Sequence, residues 1–226
     1  MRTEEVRFVH WCHPFLAVYL LICTSVPAHA ASVKLEVDQA KSYIVVVTRK
    51  GGLLGFAGHE HGILATEWSV DVCFDKENPR ASRAKISIPT LSLRIDTEEA
   101  RRKAGLKAEG PSPKDAAKIQ DKMLAPQNLD AQGHPEIQFT TNSVERKDDT
   151  IVLTGPMTIR GTTRTISSPV KLESQAGAYV FSGEFKVKQT EYGIKPESIG
   201  GVVSVKDPVE IRFQFHARST TTECAP

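Results

Sequence analysis

No apolar run in this chain reaches the roughly 20 residues a membrane-spanning helix needs; the longest, Phe15–Ile22, stops well short. Charge of one sign is lacking too. With 29 Lys and Arg against 27 Asp and Glu, the net charge is +2, which leaves no electrostatic footprint for nucleic acid. There is no G-x-S-x-G nucleophile elbow, phosphate-binding loop or dinucleotide fingerprint, so the common hydrolase and nucleotide-dependent signatures are missing. Cysteine is scarce at 4 residues. Cys73 stands in no recognisable arrangement for a catalytic thiol. Methionine numbers 3, and only Met123 and Met157 fall beyond the start of the chain, so thioether ligands for a metal are few.

Residues 1–30 read as a secretory signal peptide: Arg2 and Arg7, then the Phe15–Ile22 run, then Ala28-His29-Ala30 as a small-x-small cleavage site. Cleavage there leaves Cys73 and Cys224 in a compartment where disulfides are allowed. Sequence does not set the distance between them, and Cys224 sits in a polar terminus, 218–226, that reads as a flexible tail.

Between these ends the pattern is that of strands. Val33, Leu35 and Val37 alternate with charged residues, and Gln39–Ser42 reads as a turn. Tyr43–Thr48 is β-branched on both faces, as for a strand covered on both sides. Trp68, Val70, Val72 and Phe74 share a face, with Cys73 opposite; Ala84, Ile86 and Ile88 do the same. After His134-Pro135 the period of two returns in Ile137 and Phe139, in Ile151, Leu153, Gly155, Met157 and Ile159, in Phe181, Phe185 and Val187, and in Val209, Ile211, Phe213 and Phe215. Roughly eight to ten strands with turns about every ten residues define an antiparallel barrel or sandwich, and closure is favoured because it removes edges. One interruption is helical. Thr97–Ala104 has acids first and bases later and ends at Gly105; Lys114–Leu124 follows, with Ala117, Ile119 and Met123 as apolar points and Pro126 closing it.

The stretch Gly51–Gly62, GGLLGFAGHEHG, is the most chemically distinctive. In extended chain His59 and His61 face one way and Glu60 the other. Two imidazoles are short of the three or four ligands zinc or copper wants, with His134 as the candidate third. The polar alternative is hydrogen bonding at a barrel opening.

Three segments carry a family resemblance. His134-Pro135-Glu136-Ile137-Gln138-Phe139, Leu153–Arg164 and Tyr192-Gly193-Ile194, in that order, resemble the signature segments of YceI-like proteins. The resemblance spans about Leu35 to Ala217. Glu191 stands where the family pattern has aspartate, and the GHEHG segment and helical insertion mark a divergent branch. The resemblance implies an all-β, antiparallel lipocalin-like β-barrel over 31–217, with a short helical insertion at about 97–124. It also implies a periplasmic or secreted, non-enzymatic carrier of an apolar, polyisoprenoid or quinone-like lipid, with no cofactor.

By pattern alone the apolar face either fills a packed core or lines a cavity; the resemblance implies the cavity. Its expected lining is Phe139, Leu153, Met157, Ile159, Phe181, Phe185, Phe213 and Phe215, with His59 and His61 at the opening and Gly155 and Gly183 making room beside the aromatics. The alternatives are a metal-binding protein or metal-dependent hydrolase built on His59 and His61, and a packed accessory barrel for a membrane partner.

Overall fold

The computed structural model describes residues 32–52, 58–148, 150–200 and 202–224. The leader expected at 1–30 and the middle of the glycine-rich break, 53–57, lie outside the described residues. The strands are β1 (Val33–Thr48), β2 (Lys50–Gly51), β3 (His61–Ala65), β4 (Ser69–Phe74), β5 (Arg83–Pro89), β6 (Leu93–Ile95), β7 (Glu136–Thr140), β8 (Ser143–Lys147), β9 (Thr150–Ile159), β10 (Thr162–Gln175), β11 (Ala178–Lys188), β12 (Ser198–Ile199), β13 (Val203–Val205) and β14 (Pro208–Glu223). Two α-helices, α1 (Glu98–Lys103) and α2 (Pro113–Leu124), interrupt them.

Eight strands close an antiparallel barrel. The order runs β14, β11, β10, β9, β7, β5, β4, β1, and β1 pairs back onto β14. The first half of β1 lies between β14 and β4, its second half between β14 and β3, and β6 adds to β3. A small sheet of β12, β13 and β2 stands at the end where β1 finishes. We call that end the mouth and the opposite end the base.

Gln39–Ser42, read from sequence as a turn, lies inside β1, because these residues bulge opposite β14 between the pairs Asp38–His216 and Tyr43–Gln214. Ser42 holds the bulge together: its hydroxyl donates to the Asp38 carbonyl at 2.6 Å and accepts from the His216 N–H at 2.9 Å. Past the bulge, Ile44, Val46 and Thr48 face the interior, while Val45 and Val47 are fully buried on the outside beneath α1. That is why this segment carries β-branched residues on both faces. Gly62 permits the docking, since a Cβ there would stand 2.7 Å from the Ala100 carbonyl oxygen.

The helices form where their caps predict. The Thr97 hydroxyl accepts from the Ala100 N–H and the Ser112 hydroxyl from the Asp115 N–H. Ala117 is exposed, unlike Ile119 and Met123, which turn inward. Helix α2 is fastened to the edge strand β6 by Gln120, whose amide accepts from the Ile95 N–H at 2.9 Å and donates to the Leu93 carbonyl at 2.8 Å.

The base is built differently. Phe74, Tyr179 and Phe181 pack there, with Phe74 edge-on to both other rings at centroid distances of 5.1 and 5.6 Å. Cys73 and Cys224 form a disulfide with Cα atoms 5.9 Å apart, inside the normal range. The flexible tail expected over 218–226 is corrected for its described residues, 218–224: β14 continues to Glu223, and the bridge fixes Cys224. The polarity of RSTTTE is that of a solvent-facing strand, with Thr220 donating to the Lys34 carbonyl.

Candidate functional site

The barrel encloses a cavity of about 530 Å³, within the span of roughly 300–1,000 Å³ usual for small-molecule sites. Its wall runs from Gly58, His59 and Glu197 at the mouth to Pro79 and Arg83 at the base, so the space is as long as the barrel. Inward alternation supplies the lining. Phe139 comes from β7, Leu153, Met157 and Ile159 from β9, Phe181 and Phe185 from β11, and Phe213 and Phe215 from β14. All eight apolar residues singled out in the sequence therefore meet around one space. From α2, Ile119, Lys122 and Met123 complete the wall, so this half of the helical insertion caps the mouth while α1 covers the outside of β1 and β3.

The two glycines expected to make room do something else. A Cβ on Gly155 would fall 1.9 Å from the Thr140 carbonyl oxygen, where the chain crosses from β7 to β8. Gly183 lies beneath the Phe213 ring, 2.6 Å from where its Cβ would be. Both spaces are occupied; the glycines allow close approach.

His59 and His61 line the cavity, and Glu60 pairs outward with Arg49 at 3.2 Å, as alternation requires. His134 is not brought to them: its ring lies against Gly161, with Nε2 3.8 Å from Asp130. Among the described residues no group of three or more His, Cys, Asp or Glu side chains is arranged to hold a metal ion.

His61 instead belongs to a buried ionic cluster that sequence reading missed. Its Nδ1 lies 2.5 Å from Asp96 Oδ2, while Asp96 Oδ1 accepts from Arg101 Nη1 at 2.7 Å and from the Gly62 N–H at 3.2 Å. The Asp96 side chain is 1 % exposed. Burial pushes its carboxyl up, but the bonds from His61, Gly62 and Arg101 outweigh that and hold it below the usual carboxylate value. Arg101, also buried, spends its remaining donors on the carbonyls of Glu60, Lys107 and Glu109. It thereby ties α1 and the loop after it to the strand bearing His61. Asp96 occupies a left-handed conformation, φ 51°, one that aspartate tolerates better than most residues. The only sequence signal was an acid placed directly before the Thr97 cap.

Two further polar groups belong to residues of the wall: Thr48 Oγ1 and Tyr192 Oη are buried and find no hydrogen-bond partner among the described residues. Thr48 lies directly opposite His61 in the β1–β3 ladder. Tyr192, 1 % exposed, follows β11 at the same end; burial, with help from Glu191, raises its phenol above the ordinary value, so at neutral pH it is a hydroxyl.

A closed eight-stranded barrel around a long apolar space is the architecture of a binding protein in the general sense. The chain belongs to the family of the YceI-like domain, whose model matches residues 35–217, and that family consists generally of binding proteins rather than enzymes. "Protein YceI" of Escherichia coli O17:K52:H18 is 28% identical over 134 residues, covering 55% of this chain and 58% of the relative. The Salmonella arizonae protein of the same name is 24% identical, covering 59% and 66%. The chain thus aligns with less than two thirds of these relatives' length. Among solved structures, Burkholderia cenocepacia BcnA superposes with a TM-score of 0.62 at 18% identity, over 80% of this chain and 99% of that one. The Campylobacter jejuni YCEI protein gives 0.53 at 15%, over 70% and 84%. Both likenesses are of fold.

Proposed function

We propose that the protein is an exported carrier that encloses an elongated apolar ligand, of polyisoprenoid or similar lipid class, along the barrel axis. The observation that carries this reading is the apolar space running from mouth to base. A chain-like molecule fills such a space, and burial of its surface contributes roughly 25 cal/mol per Å² before the costs of ordering. Wall groups are overwhelmingly aliphatic and aromatic, so selection along the tail is by length and shape. Export is supported by the leader-like residues 1–30 and by the Cys73–Cys224 bridge, a bond characteristic of oxidising compartments. His59 and His61 stand at the mouth as polar contacts for the ligand's head.

Protein purified from the exported fraction without detergent is expected to carry an extractable lipid, and delipidated protein to take up isoprenoids in stoichiometric amount. Native mass spectrometry showing only the bare polypeptide mass, together with no uptake by delipidated protein, overturns the carrier reading.

A further inference from the structure

We infer that the Cys73–Cys224 bridge is a redox-operated fastener for the base: its reduction by a protein dithiol frees the end of β14 while the barrel stays folded. This goes beyond the carrier reading and stands without it. Three observations carry it. The first is how little else holds the strand's end. β11 pairs with β14 only as far as Ala178 opposite Arg218, so from Ser219 onward the ladder is with β1 alone. That ladder is irregular: Leu35 faces Ser219 and Val33 faces Glu223, with β14 bulging between them. Isolated hydrogen bonds add to it, from the Ser219 N–H to the Gly177 carbonyl, from the Thr220 hydroxyl to the Lys34 carbonyl and from the Cys224 N–H to the Ser32 carbonyl.

The second observation is where the bridge lies. Val33 pairs with Glu223 on one side and with Phe74 on the other, and the two sulfurs come from the residues next to these. One bond therefore clamps β4 and β14 across the start of β1. It does so beside Phe74, which with Phe181 and Ala217 belongs to the cavity wall.

The third is the charge around Cys73. Both cysteines are half-buried, and Cys73 has Lys34 directly opposite in β1 and Arg83 directly opposite in β5. Side chains so placed share a face, with Cβ atoms about 5 Å apart. Lys34 is engaged with Asp71 at 3.2 Å and Arg83 has an interaction of its own, yet a thiolate released at Cys73 meets positive charge on both flanks. Cations beside a sulfur stabilise its thiolate, and a stabilised thiolate leaves faster.

The exchange follows from that placement. A thiolate of the dithiol attacks the Cys224 sulfur; the bond between the two cysteines breaks, a mixed disulfide forms and Cys73 departs as thiolate. The dithiol's second thiolate then attacks its own partner sulfur in the mixed disulfide and releases Cys224. Two electrons pass from the dithiol to the bridge, the dithiol becomes a disulfide, and the two protons it gives up reach the cysteines through water. The same steps reversed, with an oxidised dithiol, refasten the strand.

The test uses oxidised mature protein without denaturant, treated with dithiothreitol or with reduced thioredoxin as the protein dithiol. Thiol titration should show both cysteines freed while the far-UV spectrum keeps its β form. Hydrogen exchange should rise about tenfold or more over 219–224 and the start of β1, as expected of local opening, and stay unchanged in β9 and β10. Cys224→Ser should show the same pattern with no reductant present. In the double variant Lys34→Gln, Arg83→Gln, reduction should slow about fivefold. Reduction that needs denaturant, or that unfolds the whole barrel, makes the bridge a permanent staple and overturns the inference. Exchange over 219–224 that is equal in the two redox states overturns it as well. An undiminished rate in the double variant overturns the role given to the two cations, and reduction by dithiothreitol but not by thioredoxin overturns the protein dithiol as partner. None of these outcomes touches the carrier reading, which is decided by lipid content alone.

Discussion

The two ends of the barrel solve the same problem of terminating a closed sheet with different chemistry. The base is shut by a covalent bridge between Cys73 and Cys224 and by the Phe74, Tyr179 and Phe181 rings. The mouth is held by hydrogen bonds and charge: Asp96 with His61 and Arg101, Gln120 on the β6 backbone, and the short strands β2, β12 and β13. A covalent and aromatic end resists opening. A polar end can exchange its partners with water and with an entering molecule, so on the proposed carrier reading the passage for a ligand belongs at the mouth.

The sharpest way to break this contrast is to remove the bridge. The cysteines are 151 residues apart, so Cys73→Ser is expected to cost up to about 5 kcal/mol on the chain-entropy account. Urea unfolding of oxidised and reduced protein measures this, and a loss below about 1 kcal/mol would show that the rings alone secure the base. Next in size is Asp96→Asn, which leaves Arg101 buried without its counter-charge. The expected loss is about 3 kcal/mol, with hydrogen exchange accelerating in β3, β6 and α1 and hardly at all in the strand ends at the base.

Acid should draw the same distinction. Asp96 is held below its ordinary value, and so is Glu210, through its bonds to Arg49 and despite partial burial. Each carboxyl therefore contributes stability above its unfolded value near about 4, and that contribution is lost as pH falls through the lower folded value. Local opening monitored by exchange below about pH 4 should begin at the mouth, with the disulfide end following; simultaneous opening would count against separate polar and covalent ends. The smallest effect is expected from Gln120→Ala. It loosens α2 from β6 for about 1 kcal/mol and should quicken lipid uptake and release with little change in their ratio, as stopped-flow displacement would show.

Much of the barrel was legible because burial on one face imposes a period of two, which Phe139, Leu153, Met157 and the Phe213–Phe215 pair state plainly. The helical segments were legible through Thr97, Gly105 and Pro126. What sequence could not carry was anything set by approach in space. Gly155 and Gly183 looked like openings, yet each is filled by a neighbour from elsewhere in the chain. Ser42 looked like a turn residue until the ladder with β14 showed what its hydroxyl bridges. Asp96 lies 35 residues from His61, and no local pattern couples the two. The terminus was misread because its Thr and Ser residues describe solvent on one face and are silent about β1 on its flank.

The pairing of β1 with β14 sets a timetable for the molecule. Val33 finds Glu223 as a partner, and Val47 finds Glu210, so the first strand to leave the ribosome must wait for the last. Contacts of such long sequence separation form slowly, and until they form the edge of β1 that faces β14 is unsatisfied, while its other edge already has β3 and β4. A chain arranged in this way stays open for as long as its end is still being made; it becomes a closed vessel only once its last strand is available to its first.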